Sequence, residues 1–332
     1  MGPVMEPDRI LGTLYGIAIG DAMGMPTTFL SRSEIKRRYG VVRDFLEAPM
    51  DGSVHSKMVR GQYTDDTELT IALARAIVRA RRVDPSAVAE ELLRWADEHD
   101  VLSTTLIGPS TRAAIEGLKK GISCTVTGRK GTTNGCAMKI APVAIFDALA
   151  SDRRTVDDVI NACMPTHHTS IAISGASALC FALKECLRGE RDMGRIVSAA
   201  LRGAREGAWA MGDPELSIES RIKEAVSLTG EAAMDNFLDE LYSFLMEPQG
   251  ALTEDAVPAA IAIFVHSQGN LHDAVIEGSN LGGDSDTIGS MAGGLAGAYS
   301  GLAMIPAEWV RVIDSTSEVD IRKLGRELIN AI

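Results

Sequence analysis

The sequence predicts an all-α protein, a single compact multi-helix domain. Three observations lead there. Apolar residues recur at helical spacing in stretch after stretch, as Leu69, Leu73 and Ile77 do behind Asp65-Asp66. Convincing alternation of apolar and polar residues, the mark of a half-buried strand, is absent. Glycines stand four apart in two distant stretches, Gly12, Gly16, Gly20, Gly24 and Gly289, Gly293, Gly297, Gly301. Glycine costs about 1 kcal/mol in a helix interior, so a face of four implies close approach by another helix. The two faces are expected to pack on each other at the centre of one core. No linker and no repeat of fixed period interrupts the 332 residues, so 1–332 reads as one domain.

In chain order, residues 10–24 form an apolar helix. Residues 25–62, with Pro26, Pro49, Gly52 and Gly61, are irregular, and a loop this long is uncommon unless functional. They read as a flap over a site, with a short helix near Ser33 to Tyr39. Helices follow from Asp66 to Arg82, from Asp84-Pro85-Ser86 through Trp95, and from Pro109-Ser110-Thr111 onward. Gly128 to Gly135 is a glycine-rich break, with a helix expected from Cys136 to Ala150. Further helices are expected near 155–163, 169–187, 193–208, 218–228, 231–246, 253–267 and 270–279, then a final pair at 284–303 and 318–331.

Composition narrows the function. With 45% apolar residues the chain can bury a sizeable core, and a net charge of −12 argues against a nucleic-acid polymer as partner. A nucleotide-sized ligand held by local donors stays compatible with it. The five cysteines are odd in number and lack C-x-x-C spacing, which reads as reduced thiols rather than a disulfide frame. Met1 to Arg9 is polar and carries no apolar signal segment, and no run of about 18 apolar residues suggests a membrane span. The expected location is cytoplasmic.

Chemistry concentrates in two acidic stretches, Tyr63-Thr64-Asp65-Asp66-Thr67 and Asn280-Leu281-Gly282-Gly283-Asp284-Ser285-Asp286-Thr287. Each sets two aspartates and a threonine at the start of an apolar helix. Thr64 or Asp65, and Asp284 or Ser285, would also serve simply as helix caps. If the stretches meet, four carboxylates share one place and cannot all stay ionised unpaired. Two divalent cations would balance them. Hard oxygen ligands, with no His or Cys in either stretch, suit magnesium or manganese.

Five segments in order, Gly20-Asp21-Ala22-Met23-Gly24, Thr64-Asp65-Asp66-Thr67, Asn134-Gly135-Cys136-Ala137-Met138-Lys139, Thr166-His167-His168-Thr169 and Gly282-Gly283-Asp284-Ser285-Asp286-Thr287, resemble the ADP-ribosylglycohydrolase family, which includes the dinitrogen reductase-activating glycohydrolases. The resemblance spans about residues 10 to 303. It implies an all-α fold with two Mg2+ or Mn2+ ions and hydrolysis of the bond at the anomeric carbon of an ADP-ribosyl group. By the same resemblance Thr64, Asp65, Asp66, Asp284, Asp286 and Thr287 hold metal; with two family carboxylates replaced, Asp66, Asp284 and a metal-bound hydroxide remain as the groups to assist water attack. Gly131 to Gly135 resembles a phosphate-contacting loop, so Asn134 and Gly135 are expected at the ligand, and His167 near the ribose and phosphates. Asp21 is expected to orient a metal ligand, or to bond Asn280 or a helix end.

The departures bear on the substrate. A glutamate that family members often carry after the first segment is replaced by Pro26-Thr27-Thr28-Phe29, and an aspartate ahead of Ile107-Gly108 is replaced by Leu106. Glu34 is the remaining acid on the flap with any claim to a substitute role. Two other readings therefore stand beside the ADP-ribosyl hydrolase: a hydrolase of a smaller ribosyl metabolite or nucleoside, and a non-catalytic ADP-ribose-binding protein. The expected partner is an ADP-ribosylated or other ribosyl substrate, small molecule or protein.

Overall fold

The computed structural model describes residues 6–48, 55–104, 107–230, 233–247 and 249–332. In it the chain forms α1 (Pro7–Gly24), α2 (Arg32–Tyr39), α3 (Asp65–Ala80), α4 (Pro85–Glu98), α5 (Pro109–Lys119), α6 (Cys124–Thr127), α7 (Ala141–Phe146), α8 (Asp152–Cys163) and α9 (Ser170–Leu187). Then come α10 (Met193–Ala210), α11 (Glu219–Ser227), α12 (Met234–Phe244), α13 (Thr253–His266), α14 (Leu271–Leu281), α15 (Ser285–Ser300), α16 (Ala307–Thr316) and α17 (Ile321–Ala331). Among the described residues there is no strand, only an isolated bridge between Thr133 and Leu252.

The two glycine faces meet as expected, on α1 and α15. A methyl group built on Gly12 would run into the Gly297 carbonyl, on Gly16 into that of Gly293, and on Gly20 into that of Gly289. Gly24 meets Ser285 in the same way. The order shows that the helices run antiparallel with their backbones nearly touching. This clamp brings the end of α1 to the start of α15, where the acidic residues stand. The buried apolar side chains around it form one continuous cluster, from Ile10 and Tyr15 to Ile313 and Leu328. α9 is long and apolar enough to cross a membrane, with a mean hydropathy of 1.4, but 89% of it is buried inside the fold.

Several expectations need correction. The helix expected from Cys136 to Ala150 is a 3-10 turn (Asn134–Cys136) followed by the short α7. Pro142 explains the break: without an N–H and with its ring against the preceding turn, it sits at a helix start and not six residues in. The stretch 284–303 stops at Ser300, because Gly301 turns the backbone to φ +88°. α16 was missed, although Trp309, Val310 and Ile313 lie buried on one face of it. Residue 231, the expected start of α12, lies outside the described residues. Cys136 and Cys163 form a disulfide, against the expectation of free thiols; the pair lies 27 residues apart with no motif to announce it.

The irregular stretch 25–62 is sewn to the body over its first half. Phe29 N–H donates to the Gly283 carbonyl at 2.7 Å and Gly283 N–H returns to Leu30 at 3.0 Å. Thr27 Oγ1 reaches the Ser279 carbonyl at 2.8 Å, and Val42 N–H donates to Asn280 Oδ1 at 2.8 Å. The buried Arg32 on α2 donates to the Asn280 carbonyl at 2.6 Å and pairs with Asp235 and Asp239. Pro49 and Gly52 of the proposed flap lie outside the described residues.

Candidate active site

The site is built upward from Asp21, which α1 carries completely buried. Its carboxylate takes Thr64 N–H on both oxygens at 3.0 Å, Thr67 N–H at 3.0 Å and Thr67 Oγ1 at 2.6 Å. A side chain from another helix thus binds the free amide groups at the start of α3, a task usually left to a local cap. Of the roles expected of Asp21, the structure shows the bond to a helix end, while Asn280 binds Val42 instead. Thr64 is the local cap as well, accepting Asp66 N–H at 3.3 Å.

The second acidic stretch arrives on α15. Gly282 and Gly283 take φ +92° and +67°, and a side chain at Gly282 would press on Arg32 N and the Leu30 carbonyl. This turn delivers Asp284 to the helix start with no capping bond of its own, so the cap reading of Asp284 fails and its carboxylate is free for other work. Thr287 Oγ1 donates to Asp66 Oδ2 at 3.2 Å, and Thr64 Oγ1 donates to the same oxygen at 3.2 Å. The two stretches meet. Asn134 Nδ2 donates to Asp284 Oδ2 at 2.5 Å, so the loop ahead of α7 joins the same cluster. Thr64, Asp66, Asn134, Asp284, Asp286 and Thr287 are all buried, and Asp65 is half-buried.

The electrostatics are those of crowded acids. Burial, reinforced by the charges of Asp286, Asp21 and Glu68, pushes Asp65 well above the usual carboxylate range. Burial and the neighbours Asp21, Asp286, Asp65 and Asp284 do the same to Asp66, and burial with Asp286 does it to Asp284. Burial and Asp286 raise Asp21 to about 7. The buried Lys139 is lowered to about 8 by its own burial, and its Nζ donates to Thr166 Oγ1 at 3.1 Å. Asp66 Oδ1 is buried with no hydrogen-bond partner.

These features fit divalent cations by donor chemistry: hard oxygens, excess negative charge and an unpaired buried carboxylate oxygen. Among the described residues no three His, Cys, Asp or Glu side chains already converge on one point as a ready cage.

His167 is completely buried under the glycine-rich loop. Its Nε2 meets Thr133 Oγ1 at 2.9 Å, and a side chain on Gly135 would strike its ring. Burial lowers its pKa to about 3, so it is a neutral prop beneath the loop. Asn134 N–H is already engaged by the Ala251 carbonyl and Gly131 N–H by that of Gly128. Any anion contact therefore falls to the loop's other amide groups.

Beside Asp65 lies a cavity of about 150 Å³, lined by Tyr63, Thr64, Glu68, Trp95, His99 and Thr104 among others. Glu68 Oε2 accepts Trp95 Nε1–H there at 2.8 Å. Glu34 lies elsewhere in role: it closes a capping box with Ser31, accepting Ser31 N–H at 3.0 Å, and so is helix chemistry rather than a substitute acid. Leu106 lies outside the described residues. The residue that sequence reasoning missed is His55, which stands with Nε2 3.9 Å from Asp286 Oδ2. A lone histidine in an irregular stretch gives no periodic signal to find it by.

Comparison with known proteins identifies the relatives of this chain. The sequence matches the ADP-ribosylglycohydrolase family over residues 3–332. It is 30% identical to the protein YegU of Escherichia coli (strain K12), over 98% of this chain and 97% of that one. It is 29% identical to the ADP-ribosylarginine hydrolase Tri1 of Pseudomonas putida (strain GB-1), over 99% of this chain and 80% of Tri1. Among solved structures, an ADP-ribosylglycohydrolase-related protein complex superposes with a TM-score of 0.74 at 25% identity, covering 98% of each chain.

Proposed function

This chain belongs to the ADP-ribosylglycohydrolase family and is an ADP-ribosyl glycohydrolase enzyme; from that premise we propose that it works with two divalent cations, Mg2+ or Mn2+, held by Thr64, Asp65, Asp66, Asp284, Asp286 and Thr287. The observation that carries this reading is the contact of Thr287 with Asp66, which draws two remote acidic stretches into one buried cluster of crowded carboxylates. When bound, such ions grip the ribose diol and bring a water toward ionisation near neutral pH.

The chain's own residues supply the rest. Asp66 and Asp284 present negative charge where the anomeric carbon turns oxocarbenium-like, which lowers the barrier to losing the leaving group. Asn134 holds Asp284 through its amide and thereby fixes the direction of that carboxylate. Thr64 and Thr287 converge on one oxygen of Asp66 and leave the other buried without a partner. The glycine-rich loop, propped by His167, offers amide N–H groups to a diphosphate. The substrate is an ADP-ribosylated protein or small molecule, by analogy with the named activities of Tri1 and of the ADP-ribosyl-[dinitrogen reductase] glycohydrolase of Rhodospirillum rubrum.

A second reading keeps the metals and changes the substrate. Pro26 and Thr27 are buried where family members often carry a flap glutamate, and Thr27 spends its hydroxyl on the Gly24 and Ser279 carbonyls. No acid reaches the site from there, which favours a smaller ribosyl metabolite. One assay separates the two: purified protein with Mg2+ or Mn2+, given ADP-ribosylarginine, O-linked ADP-ribosyl peptides and simple ribosides. Release of ADP-ribose supports the first reading and release of free ribose the second. Tight ADP-ribose binding with no cleavage of any glycoside would leave a binding protein.

A further inference from the structure

We propose that His55 is a nitrogen ligand of this acidic site, binding through Nε2 a cation shared with Asp286 and tuning the site toward manganese over magnesium. The proposal rests on the metal reading above and extends it to a residue outside both acidic stretches.

Geometry carries it. His55 is only 6% exposed, which is unusual for a residue in an irregular stretch. Its Nε2 points at Asp286 Oδ2 from 3.9 Å, too far for a hydrogen bond. Its Nδ1 is buried with no partner. A buried imidazole nitrogen is seldom left without a hydrogen bond, because the lost bond to water costs free energy. Two atoms that ligate one ion at about 2.1 Å each stand roughly 3 to 4.2 Å apart, depending on the angle at the ion. The gap from His55 to Asp286 lies inside that span.

The local backbone supports the placement. Met58 N–H donates to the His55 carbonyl at 2.9 Å, closing a turn that sets the direction of the side chain. Gln62 and Tyr63 follow and lead straight into Thr64, so the turn and the start of α3 are connected by only a few residues. Aspartate and threonine oxygens bind magnesium and manganese alike. An imidazole raises affinity for first-row transition ions and does little for magnesium. One nitrogen in an oxygen set therefore separates two metals that the carboxylates alone do not.

The test is pulsed electron paramagnetic resonance on the wild-type protein loaded with Mn2+. The expected result is echo modulation from a directly bound 14N, shifted to the 15N pattern when the protein is grown with 15N-labelled histidine. The modulation should vanish in His55→Ala and His55→Gln and persist in His167→Ala. By calorimetry, His55→Ala should bind Mn2+ about tenfold more weakly, with Mg2+ affinity nearly unchanged. Bound Mn2+ without nitrogen modulation in the wild type overturns the role of His55 and leaves the oxygen site standing. Modulation that survives in both His55 variants overturns it as well. If the wild type takes up no Mn2+, the metal reading falls and this inference falls with it. Because the deciding spectrum is that of the wild type, a variant that folds poorly does not blunt the test.

Discussion

Thr287 Oγ1 donates to Asp66 Oδ2 at 3.2 Å, across 221 positions of sequence. Thr64 bonds the same oxygen, and the other oxygen of Asp66 has no partner. Asp66 is thus aimed by two hydroxyls through one oxygen, while the other is buried and unpaired. Replacing it with asparagine keeps the shape and removes the charge. Asp66→Asn and Asp284→Asn should each lower kcat/KM at least a hundredfold, about 2.7 kcal/mol of barrier. Stability should move the other way. Burial and four acidic neighbours raise the Asp66 pKa in the fold, so its neutral form favours folding below the ordinary carboxylate pKa, and that contribution is lost as pH rises through the raised value. At pH 8 with chelator, Asp66→Asn should melt above the wild type. Added Mn2+ should raise the melting point of the wild type and leave the variant nearly unmoved. A variant that melts lower under chelator would contradict the crowding of charge described above.

Asp21 yields a prediction of a different kind. Both of its oxygens accept, from Thr64 and Thr67, and none of its bonds is a donation. An amide at this position would turn an NH2 group against amide hydrogens. Asp21→Asn should therefore shift the start of α3 and weaken Mn2+ binding by about ten- to a hundredfold. Asp21 is completely buried and spends its carboxylate on the start of α3, so the loss should appear as a raised metal requirement that excess Mn2+ partly restores. Titration calorimetry, with activity followed at rising metal concentration, reads both.

The glycine clamp is the most brittle part of the fold. Alanine at Gly20 would put a methyl group into the Gly289 carbonyl, and alanine at Gly293 would put one into that of Gly16. Neither neighbour is a flexible side chain, so the helices must part. Gly20→Ala and Gly293→Ala should each cost about 3 kcal/mol or more, at the upper end of overpacking effects. Alanine at Gly121, where no atom lies within 4 Å, meets only the strain of its φ of +79° and should cost about 1 kcal/mol. Chemical denaturation of the three variants compares them directly.

What the sequence disclosed follows from how far each signal reaches. The glycine faces were legible because a helix repeats its neighbours every four residues and close approach leaves no other choice of side chain. The acidic stretches were legible because each sets two carboxylates and a threonine within a few positions at the start of an apolar helix. The disulfide from Cys136 to Cys163 was not, since pairing depends on where α8 ends in space. Nor was the burial of His55, which depends on the path of a segment without periodicity. The same limit hid the short α7: the apolar run from Cys136 looks continuous, and only the requirements of Pro142 interrupt it.

Away from the site, Glu277 on α14 supplies a pH prediction. Its Oε1 accepts from His266 Nδ1 at 2.7 Å, while Oε2 is buried without a partner. His266 lies flat on Phe237, with ring centroids 4.0 Å apart. Asp273 is the acidic neighbour, and Arg43, His266, Asp273 and Glu277 line one pocket. Burial, partly offset by His266, raises the Glu277 pKa from 4.5 to about 7. The folded state therefore holds the proton more tightly than the unfolded chain. The stability this gives is fully present below about pH 4.5 and is lost as pH rises through about 7. Glu277→Gln is neutral at every pH and keeps an oxygen to accept from His266. It should match the wild type near pH 5 and exceed it by on the order of 1 to 3 kcal/mol at pH 8. Urea unfolding of both proteins from pH 5 to 8 measures the difference. A gap that stays constant with pH would mean that Glu277 does not change its proton occupancy on folding.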